Sequence, residues 1–388
     1  MSVDAGTPVS EFHLHMDRMT ARDPFVAMAP FGGLPPFWCD DHGGFWVVTR
    51  YEDVRELLQD AHTFSSIDTM VPRITLGDPL LPSFTDPPDT QKLRSVVLPH
   101  MTPRKVDPLE PKMRRVCREF IAGFKDQGRC EAIRDFSQQY PIRMFVDFFG
   151  LPVDRQEEFR NHSETFLHDY QRQGEAWSSI RAIVREQLEA KLVSPQDDLM
   201  SAIVNGEIDG EPIELDAAVN LASTVFLGGL DTLASNIGWT LRHLAEHPQL
   251  RHRIVEEPSV VPAAVEEFLR LYTVTARDTR RAARDVEFHG VQMRAGDRIS
   301  VMIGLANRDS SQFEDPLVAD FDRKNNRHIA FAVGPHRCLG SHLARHELEV
   351  ALEEWHAAIP DYRVVPGEQI LYSGGNFTIE YLPLEWDV

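Results

Sequence analysis

Cysteine is scarce in this 388-residue sequence, and its four cysteines include no pair in the CxxC spacing of a zinc site. Cys39, Cys117, Cys130 and Cys338 therefore indicate neither a disulfide framework nor a cysteine-rich metal centre. Basic residues are also in the minority, with 40 lysines and arginines against 60 acidic residues and a net charge of −20. Such an acidic chain argues against nucleic acid and an anionic membrane surface as partners.

The sequence also lacks signals that would direct the protein to a membrane or out of the cell. Residues 1–17 are polar and have no apolar segment after basic residues, so they do not read as a secretory signal. No segment reads as a clean membrane span, and there are no repeats or low-complexity tracts. We therefore expect a cytoplasmic protein without a membrane anchor.

The hydrophobic periodicity predicts a mainly α-helical protein with a small β region. Helical patterns dominate residues 105–250, whereas residues 284–303 alternate and turn on glycines like a hairpin. Residues 45–49 predict a short strand, and the last twenty residues also look like strands. No linker divides the chain, so we expect a single domain in which an extended N-terminal arm (residues 1–36) precedes the core (residues 37–388).

Residues 68–88 form an apolar segment that five prolines and Gly77 interrupt too often for a regular element. Such a segment is either a packed surface loop or the wall of a pocket.

A long apolar stretch from Leu215 to Ala245 predicts a buried central helix. Its middle contains Gly228 and Gly229, which are poor helix formers, followed by Asp231 and Thr232. This stretch is either a glycine pair for close helix packing with a capped polar kink, or a thinned segment where a ligand lies against the helix backbone. Asp231 needs partners in such an apolar setting.

The segment from Phe331 to Gly340 places Cys338 between two glycines, ahead of a predicted helix from Ser341 to about Ala357. A thiolate in this position can coordinate iron, and the positive end of the helix favours the thiolate. The alternative is an ordinary buried cysteine in a turn.

Together these residues resemble the haem-binding loop of the cytochrome P450 family, Phe-Gly-x-Gly-x-(His or Arg)-x-Cys-x-Gly, with Ala332 in place of one glycine. The resemblance implies the fold of that family, a single large haem-binding domain, with haem b as cofactor, O2 as co-substrate and Cys338 as the metal ligand. Phe331 and Gly340 belong to the same cofactor-binding loop.

The Gly-Gly-x-Asp-Thr stretch of the central helix is similar to the oxygen-activation motif of the same family. By that resemblance Gly228 makes room for dioxygen, Thr232 hydrogen-bonds to the oxygen being activated, and Asp231 relays protons. Splitting the O–O bond requires such controlled proton delivery.

Further matches imply a structural ion pair and anchors for the two haem propionates. Glu267 and Arg270 would form a buried pair behind the haem, whereas an isolated Glu-x-x-Arg match is usually an exposed pair. His336, Arg94 and Arg280 lie where the family places propionate anchors. Near Arg280 the register could also select Arg281 or Arg277.

One branch of the family, the soluble bacterial camphor hydroxylases, is especially similar to this sequence. Asp78 stands where that branch has a tyrosine that hydrogen-bonds to the substrate ketone, and residues 68–88 contain no tyrosine. Camphor is therefore disfavoured. The other pocket positions, Leu80, Thr224, Leu227 and Thr275, suggest a small terpenoid or norisoprenoid such as an ionone.

The resemblance implies a monooxygenase that receives electrons from NAD(P)H through a reductase and a 2Fe–2S ferredoxin, and it implies a monomer. The acidic ferredoxin would dock near Arg94, His342 and Arg345. The alternatives are a peroxide-driven or dehydrating haem enzyme, a non-catalytic haem-binding or sensor protein on the same fold, and a haem-free helical protein with a chance motif.

Overall fold

The computed structural model describes residues 4–7, 9, 12, 13, 20–73, 76–169, 171–374 and 376–388. Helices dominate these residues, as the sequence predicted. The α-helices are α1 (Pro24–Met28), α2 (Tyr51–Gln59), α3 (Asp89–Val97), α4 (Pro103–Val106), α5 (Glu110–Ala122), α6 (Gln139–Phe149), α7 (Gln156–His168), α8 (Gln173–Val193), α9 (Leu199–Val204), α10 (Leu215–Leu230), α11 (Thr232–Glu246), α12 (Pro248–Glu256), α13 (Val261–Leu271), α14 (Ile303–Ala306) and α15 (Ser341–Ala358).

The strands are short and form small sheets at the edge of the helical core. They are β1 (Phe37–Cys39), β2 (Phe45–Val48), β3 (Phe64–Ser65), β4 (Arg129–Glu131), β5 (Glu207–Ile208), β6 (Glu211–Pro212), β7 (Asp278–Ala282), β8 (Val286–Phe288), β9 (Val291–Met293), β10 (Arg298–Val301), β11 (Arg363–Val364), β12 (Leu371–Ser373), β13 (Thr378–Tyr381) and β14 (Pro383–Glu385). The largest sheet has the order β1-β2-β10-β7-β3, and β10 runs parallel to β2 and antiparallel to β7.

The predicted hairpin over residues 284–303 is only part of the observed arrangement. Strands β8 and β9 form that hairpin, but β10 leaves it to pair with β2 and β7 in the large sheet. The closing strands β12, β13 and β14 confirm the predicted β character of the C-terminal region. Strand β4 lies in the region predicted to be helical. Local sequence patterns could not reveal it, because it pairs with β14, more than 250 residues further along the chain.

The predicted central helix is present but consists of two segments, α10 and α11, which meet at Asp231. Gly229 explains how closely this helix packs, because a Cβ there would lie 2.2 Å from the ring of Phe145 on α6. Trp239 on α11 is fully buried and its indole N–H donates to the carbonyl of Phe377 at 2.7 Å. The central helix is therefore fixed by packing on both sides of its break.

The N-terminal region differs from the extended arm that its prolines predicted. Asp23 caps α1 by accepting hydrogen bonds from the N–H groups of Phe25 and Val26, and Pro24 occupies the first turn, where its missing N–H costs nothing. Phe25 is buried in the same apolar cluster as Trp239. Residues 24–31 are thus helical, and Phe25 anchors them to the core.

Of the described residues, only the stretch Leu215–Glu246 is long and apolar enough to cross a membrane. Most of its apolar window is buried inside the protein, as expected for the central helix of a core.

Candidate functional site

Many of the side chains singled out by the sequence line one cavity of about 410 Å³. The cavity lies between the junction of α10 with α11, strand β7 and the loop that carries Cys338. Its lining includes Gly228, Thr232, Arg280, His336 and Cys338, which are far apart in the sequence. The fold therefore assembles these residues into one site.

The cysteine loop is held by its own backbone. The N–H of Cys338 donates to the carbonyl of Phe331 at 2.8 Å, which closes the loop. Gly334 adopts a φ of +77°, and a Cβ there would lie 2.5 Å from the carbonyl oxygen of Leu58. Only glycine fits this position, because both the backbone conformation and the close approach exclude a side chain.

Ala332, the departure from the family's loop pattern, also has a left-handed backbone with a φ of +53°. A Cβ in this conformation costs roughly 1 kcal/mol compared with glycine. The loop therefore keeps the conformation that the glycine pattern predicts and accommodates the extra methyl group.

The Cys338 thiol differs from the prediction that the helix end would favour its thiolate. Burial raises the pKa of Cys338, and this effect is the largest. A hydrogen bond from the N–H of Gly340 and the positive charges of Arg94, Arg337 and Arg345 act in the opposite direction without overcoming it. A positively charged ligand in the cavity would favour the thiolate.

Three basic side chains line the rim of the cavity as the sequence predicted: Arg94, Arg280 and His336. Arg280 is 3% exposed and donates through Nη1 to the carbonyl of Thr279 at 2.7 Å, and it also contacts Asp278 at 2.9 Å. Arg94 donates through Nη2 to the carbonyl of Arg337 at 2.5 Å.

Two nitrogen atoms on this rim are buried without a hydrogen-bond partner in the described part of the chain: Nη2 of Arg280 and Nε2 of His336. Burial and the nearby charge of Arg280 lower the pKa of His336 to about 4. Buried donors without acceptors are costly, so an anionic ligand at this rim would remove the cost.

The structure also selects Arg280 among the three arginines that the sequence left open. Strand β7 directs Arg280 and Arg281 to opposite sides, as alternation along a strand requires, and Arg281 is absent from the cavity lining. Arg277 instead donates through Nη1 to the carbonyl of Val71 at 3.2 Å.

On the opposite wall, Gly228 and Thr232 face the open space. A Cβ at Gly228 would meet nothing within 4 Å, so this glycine leaves room in the cavity while Gly229 serves packing. The Thr232 hydroxyl lines the cavity and donates to the carbonyl of Gly228 at 3.2 Å. Asp231 lies at the helix break outside the lining, where its carbonyl accepts from the backbone N–H and the hydroxyl of Ser235, each at 3.0 Å.

The predicted substrate-contacting residues are only partly brought together. Thr224 and Thr275 line the cavity, whereas Leu80 and Leu227 are buried in the neighbouring apolar cluster and do not. Apolar side chains such as these are expected to be buried either in the cavity wall or in the neighbouring cluster, so the sequence could not distinguish the two positions.

Asp78 is the main correction among the pocket residues. Its carboxylate bonds to Arg181 on α8 and its carbonyl accepts from the indole of Trp177 at 3.0 Å, so it lies outside the cavity lining. Arg181 also donates through Nε to the side-chain oxygen of Asn220 on α10 at 2.6 Å. The hydroxyl of Thr224 donates to the backbone carbonyl of Asn220 at 2.9 Å. Asp78 thus connects residues 76–88 to two helices.

The pair of Glu267 and Arg270 is fully buried, as predicted, with N–O distances of 2.7 and 2.9 Å. Sequence reasoning missed Arg323, which adds a second guanidinium to Glu267 at 3.0 Å. Arg270 also donates to the carbonyl of Asn307 at 3.0 Å, and Asn307 in turn accepts from the N–H of Ile329. This network anchors the start of the cysteine loop.

Glu347 on α15 is another residue that the sequence did not reveal. It lines the cavity and is 3% exposed, and its carboxyl has no hydrogen-bond or ionic partner among the described residues. Burial raises its pKa well above the usual range, because a charged carboxylate is poorly solvated there. In the sequence it is indistinguishable from Glu349 and Glu353 of the same helix, which are only partly buried.

The residues present fit a haem group. Cys338 supplies a sulfur ligand, the unpartnered donors of Arg280 and His336 suit two carboxylates, and Gly340 has open space where a Cβ would be. The described residues contain no cluster of histidine, cysteine and acidic side chains that would hold a bare metal ion instead.

Comparisons with known proteins agree with this fit. The family model described as "Cytochrome P450" matches residues 159–355. A probable cytochrome P450 127A1 from Sinorhizobium fredii is 34% identical over 94% of this chain and 90% of its own length. A mycinamicin IV hydroxylase/epoxidase from Micromonospora griseorubida is 31% identical over 85% of this chain and 86% of its own.

Among solved structures, CYP101J2 and CYP101C1 both superpose with a TM-score of 0.90 at 31% identity. Each alignment covers all of this chain and at least 98% of the other.

Proposed function

Because this chain belongs to the cytochrome P450 family and is a haem b monooxygenase that uses O2, we propose that Cys338 is its iron ligand and that it oxidises a C–H bond of a small terpenoid or norisoprenoid. The observation that carries the assignment of the site is the rim of the cavity. There the unpartnered donors of Arg280 and His336 lie beside the Cys338 thiol, opposite Gly228 and Thr232.

The proposed roles follow from what each side chain can reach. Arg94, Arg280 and His336 bind the two propionates and thereby orient the cofactor in the cavity. The haem supplies oxygen activation and C–H oxidation when it is bound. Thr232 holds a hydroxyl at the cavity wall, and Asp231 at the helix break moves protons towards it.

An ionone-like substrate is supported by the character of the distal lining. Apolar side chains such as Phe145, Val225 and Leu233 dominate, and Thr224 and Thr275 add two hydroxyls. Camphor remains disfavoured, because Asp78, at the position of the ketone-binding tyrosine, is bonded to Arg181 and does not reach the cavity. The vitamin D(3) 25-hydroxylase of Pseudonocardia autotrophica, 29% identical, acts on a larger molecule, so the family membership alone does not set substrate size.

We further propose a cytoplasmic monomer that receives electrons from NAD(P)H through a reductase and a 2Fe–2S ferredoxin. The resemblance of the sequence motifs to the soluble bacterial camphor hydroxylases supports this partner. The docking face would lie near Arg94, His342 and Arg345. Two of these side chains already have acidic partners, since His342 contacts Asp107 at 2.8 Å and Arg345 pairs with Glu266.

A substrate-induced spectral titration of the purified haem protein tests the proposal, with the CO spectrum of the reduced protein as the control for ligation. Ionones, camphor and other small terpenoids are added one at a time. We expect a thiolate-type CO band and a shift to high spin with an ionone but not with camphor.

Other outcomes would contradict specific parts of the proposal. A high-spin shift with camphor would show that another group replaces the tyrosine and would overturn the reading of the pocket. Absence of the thiolate-type CO band would remove Cys338 as the ligand.

A further inference from the structure

Behind the cysteine loop, an ion pair joins two helices that the loop separates in the sequence. Glu266 on α13 accepts from Arg345 on α15 through two hydrogen bonds, of which Nη2–Oε2 measures 3.0 Å. The two side chains are about one-third and one-quarter exposed. This pair is distinct from the fully buried pair of Glu267 and Arg270 on the same helix.

Arg345 contacts the cysteine loop directly. Its guanidinium lies 4.5 Å from the centre of the Phe331 ring, within the range of a cation–π contact. The Phe331 carbonyl accepts the hydrogen bond from the N–H of Cys338. Arg345 therefore packs on the residue whose backbone closes the loop around the sulfur.

His328 ties Glu266 to the other end of the same loop. The N–H of Ala330 donates to Nδ1 of His328 at 3.2 Å, so Nδ1 is an acceptor and the proton is on Nε2. Nε2 then donates to Glu266 at 3.0 Å. The side chain of His328 is 2% exposed, and in this tautomer both of its ring nitrogens have a hydrogen-bond partner.

The pair also places charge beside the cysteine loop. Arg345 packs on Phe331, whose carbonyl accepts from the N–H of Cys338, so its guanidinium lies on the side of the loop that carries the sulfur. Burial opposes ionisation of Glu266, but the hydrogen bonds from His328 and Arg345 lower its pKa to about 2. Glu266 is therefore ionised near pH 7 and offsets the charge of Arg345.

We propose that Glu266 and Arg345 are positioning residues that together set the reduction potential of the haem held by Cys338. Arg345 stabilises negative charge at the sulfur and packs on Phe331, while Glu266 fixes Arg345 in place and limits its effect. This inference rests on the proposed ligation by Cys338. It gives Arg345 a role that needs no redox partner.

The midpoint potential of the purified protein, measured by dye-mediated titration without ferredoxin, tests the proposal. We expect Arg345→Met to lower the potential, because a positive charge that stabilises the reduced state is lost. We expect Glu266→Gln to raise it, because the charge of Arg345 is then uncompensated. The double variant should lie between the two single variants, near the parent.

Glu353→Gln is the matched control. Glu353 lies about two turns further along α15, is 32% exposed, and pairs with Arg114 at 2.6 Å. The substitution removes the same charge from a similar ion pair that does not touch the cysteine loop. The midpoint potential of this variant should therefore equal that of the parent.

Arg345→Lys separates charge from packing. It should keep the parental potential, but its CO complex should lose the thiolate-type band severalfold faster than the parent's, because lysine lacks the planar group that packs on Phe331. It also keeps the proposal testable if Glu266→Gln does not fold.

Shifts of the same sign in Arg345→Met and Glu266→Gln, or no shift in Arg345→Met, would overturn the proposal. A parental protein without a thiolate-type CO band would instead overturn the proposed ligation by Cys338. The two failures are thus distinguishable.

Discussion

At the scale of single residues, Thr232 is the side chain for which the expected effect on activity is most specific. Its hydroxyl faces the cavity and hydrogen-bonds only to the carbonyl of Gly228 among the described residues. Thr232→Ala should retain haem and fold, because no core contact is lost. We expect severalfold less product per NAD(P)H and correspondingly more peroxide, since the proton path loses its last hydroxyl. Product and peroxide are measured together against NAD(P)H consumption.

Thr232→Ser is the control, because it keeps the hydroxyl and should stay close to the parent. Equal coupling in Thr232→Ala and the parent would contradict the role assigned to this residue.

The sequence was informative where one residue type is required at a fixed spacing. Cys338, His336 and Gly228 follow from the loop and helix motifs, and the structure places all three on the cavity. Arg323 and Glu347 were missed because their significance arises from burial and from contacts across the fold, which no local pattern reveals. Asp78 was assigned to the pocket because it stands where the camphor hydroxylases have a tyrosine, but it has a partner on α8 that the sequence cannot show.

At the scale of elements, the ion pair between Asp78 and Arg181 fastens residues 76–88 to α8, and the bond to Asn220 extends the connection to α10. Half-exposed pairs contribute about 0.5–1 kcal/mol. Asp78→Asn should therefore increase hydrogen exchange in residues 76–84 by about two- to fivefold. Substrate dissociation, followed by the spin-state change, should accelerate to a similar extent.

Asp216→Asn is the matched control for this prediction. Asp216 on α10 pairs with Arg185 on α8, so the change weakens a link between the same two helices without touching residues 76–88. Unchanged exchange and dissociation in Asp78→Asn would show that apolar packing alone holds the loop.

The elements themselves were predicted best where local signals agree. The helix expected from Ser341 to about Ala357 is α15, Ser341–Ala358. The region of Pro24–Met28 was predicted to be extended because of its prolines, yet the cap by Asp23 and the burial of Phe25 make it helical. The break of the central helix at Asp231 lies where the sequence left a polar kink open as one alternative, although the hydrophobic pattern continues across it.

At the scale of the whole molecule, buried neutral histidines make stability depend on pH. His356 is 4% exposed, and its Nδ1 donates to the carbonyl of Leu352 at 2.7 Å while Nε2 accepts from the hydroxyl of Tyr362 at 3.2 Å. Burial, the largest effect, lowers its pKa to about 4 from the usual 6.5. The native state is therefore reluctant to bind the proton that the unfolded chain takes up.

Because the pKa of His356 is lower in the folded state, its contribution to stability is lost as the pH falls from 6.5 towards 4. Between pH 7 and 5 this single group should cost about 2 kcal/mol of unfolding free energy. His356→Gln should destabilise the protein at pH 7, because the buried contacts are altered, but the difference from the parent should shrink by about 2 kcal/mol at pH 5. Urea unfolding of both proteins at the two pH values measures this. If the difference in unfolding free energy between the two proteins does not change with pH, His356 has the same protonation state in the folded and the unfolded protein, which would contradict the prediction.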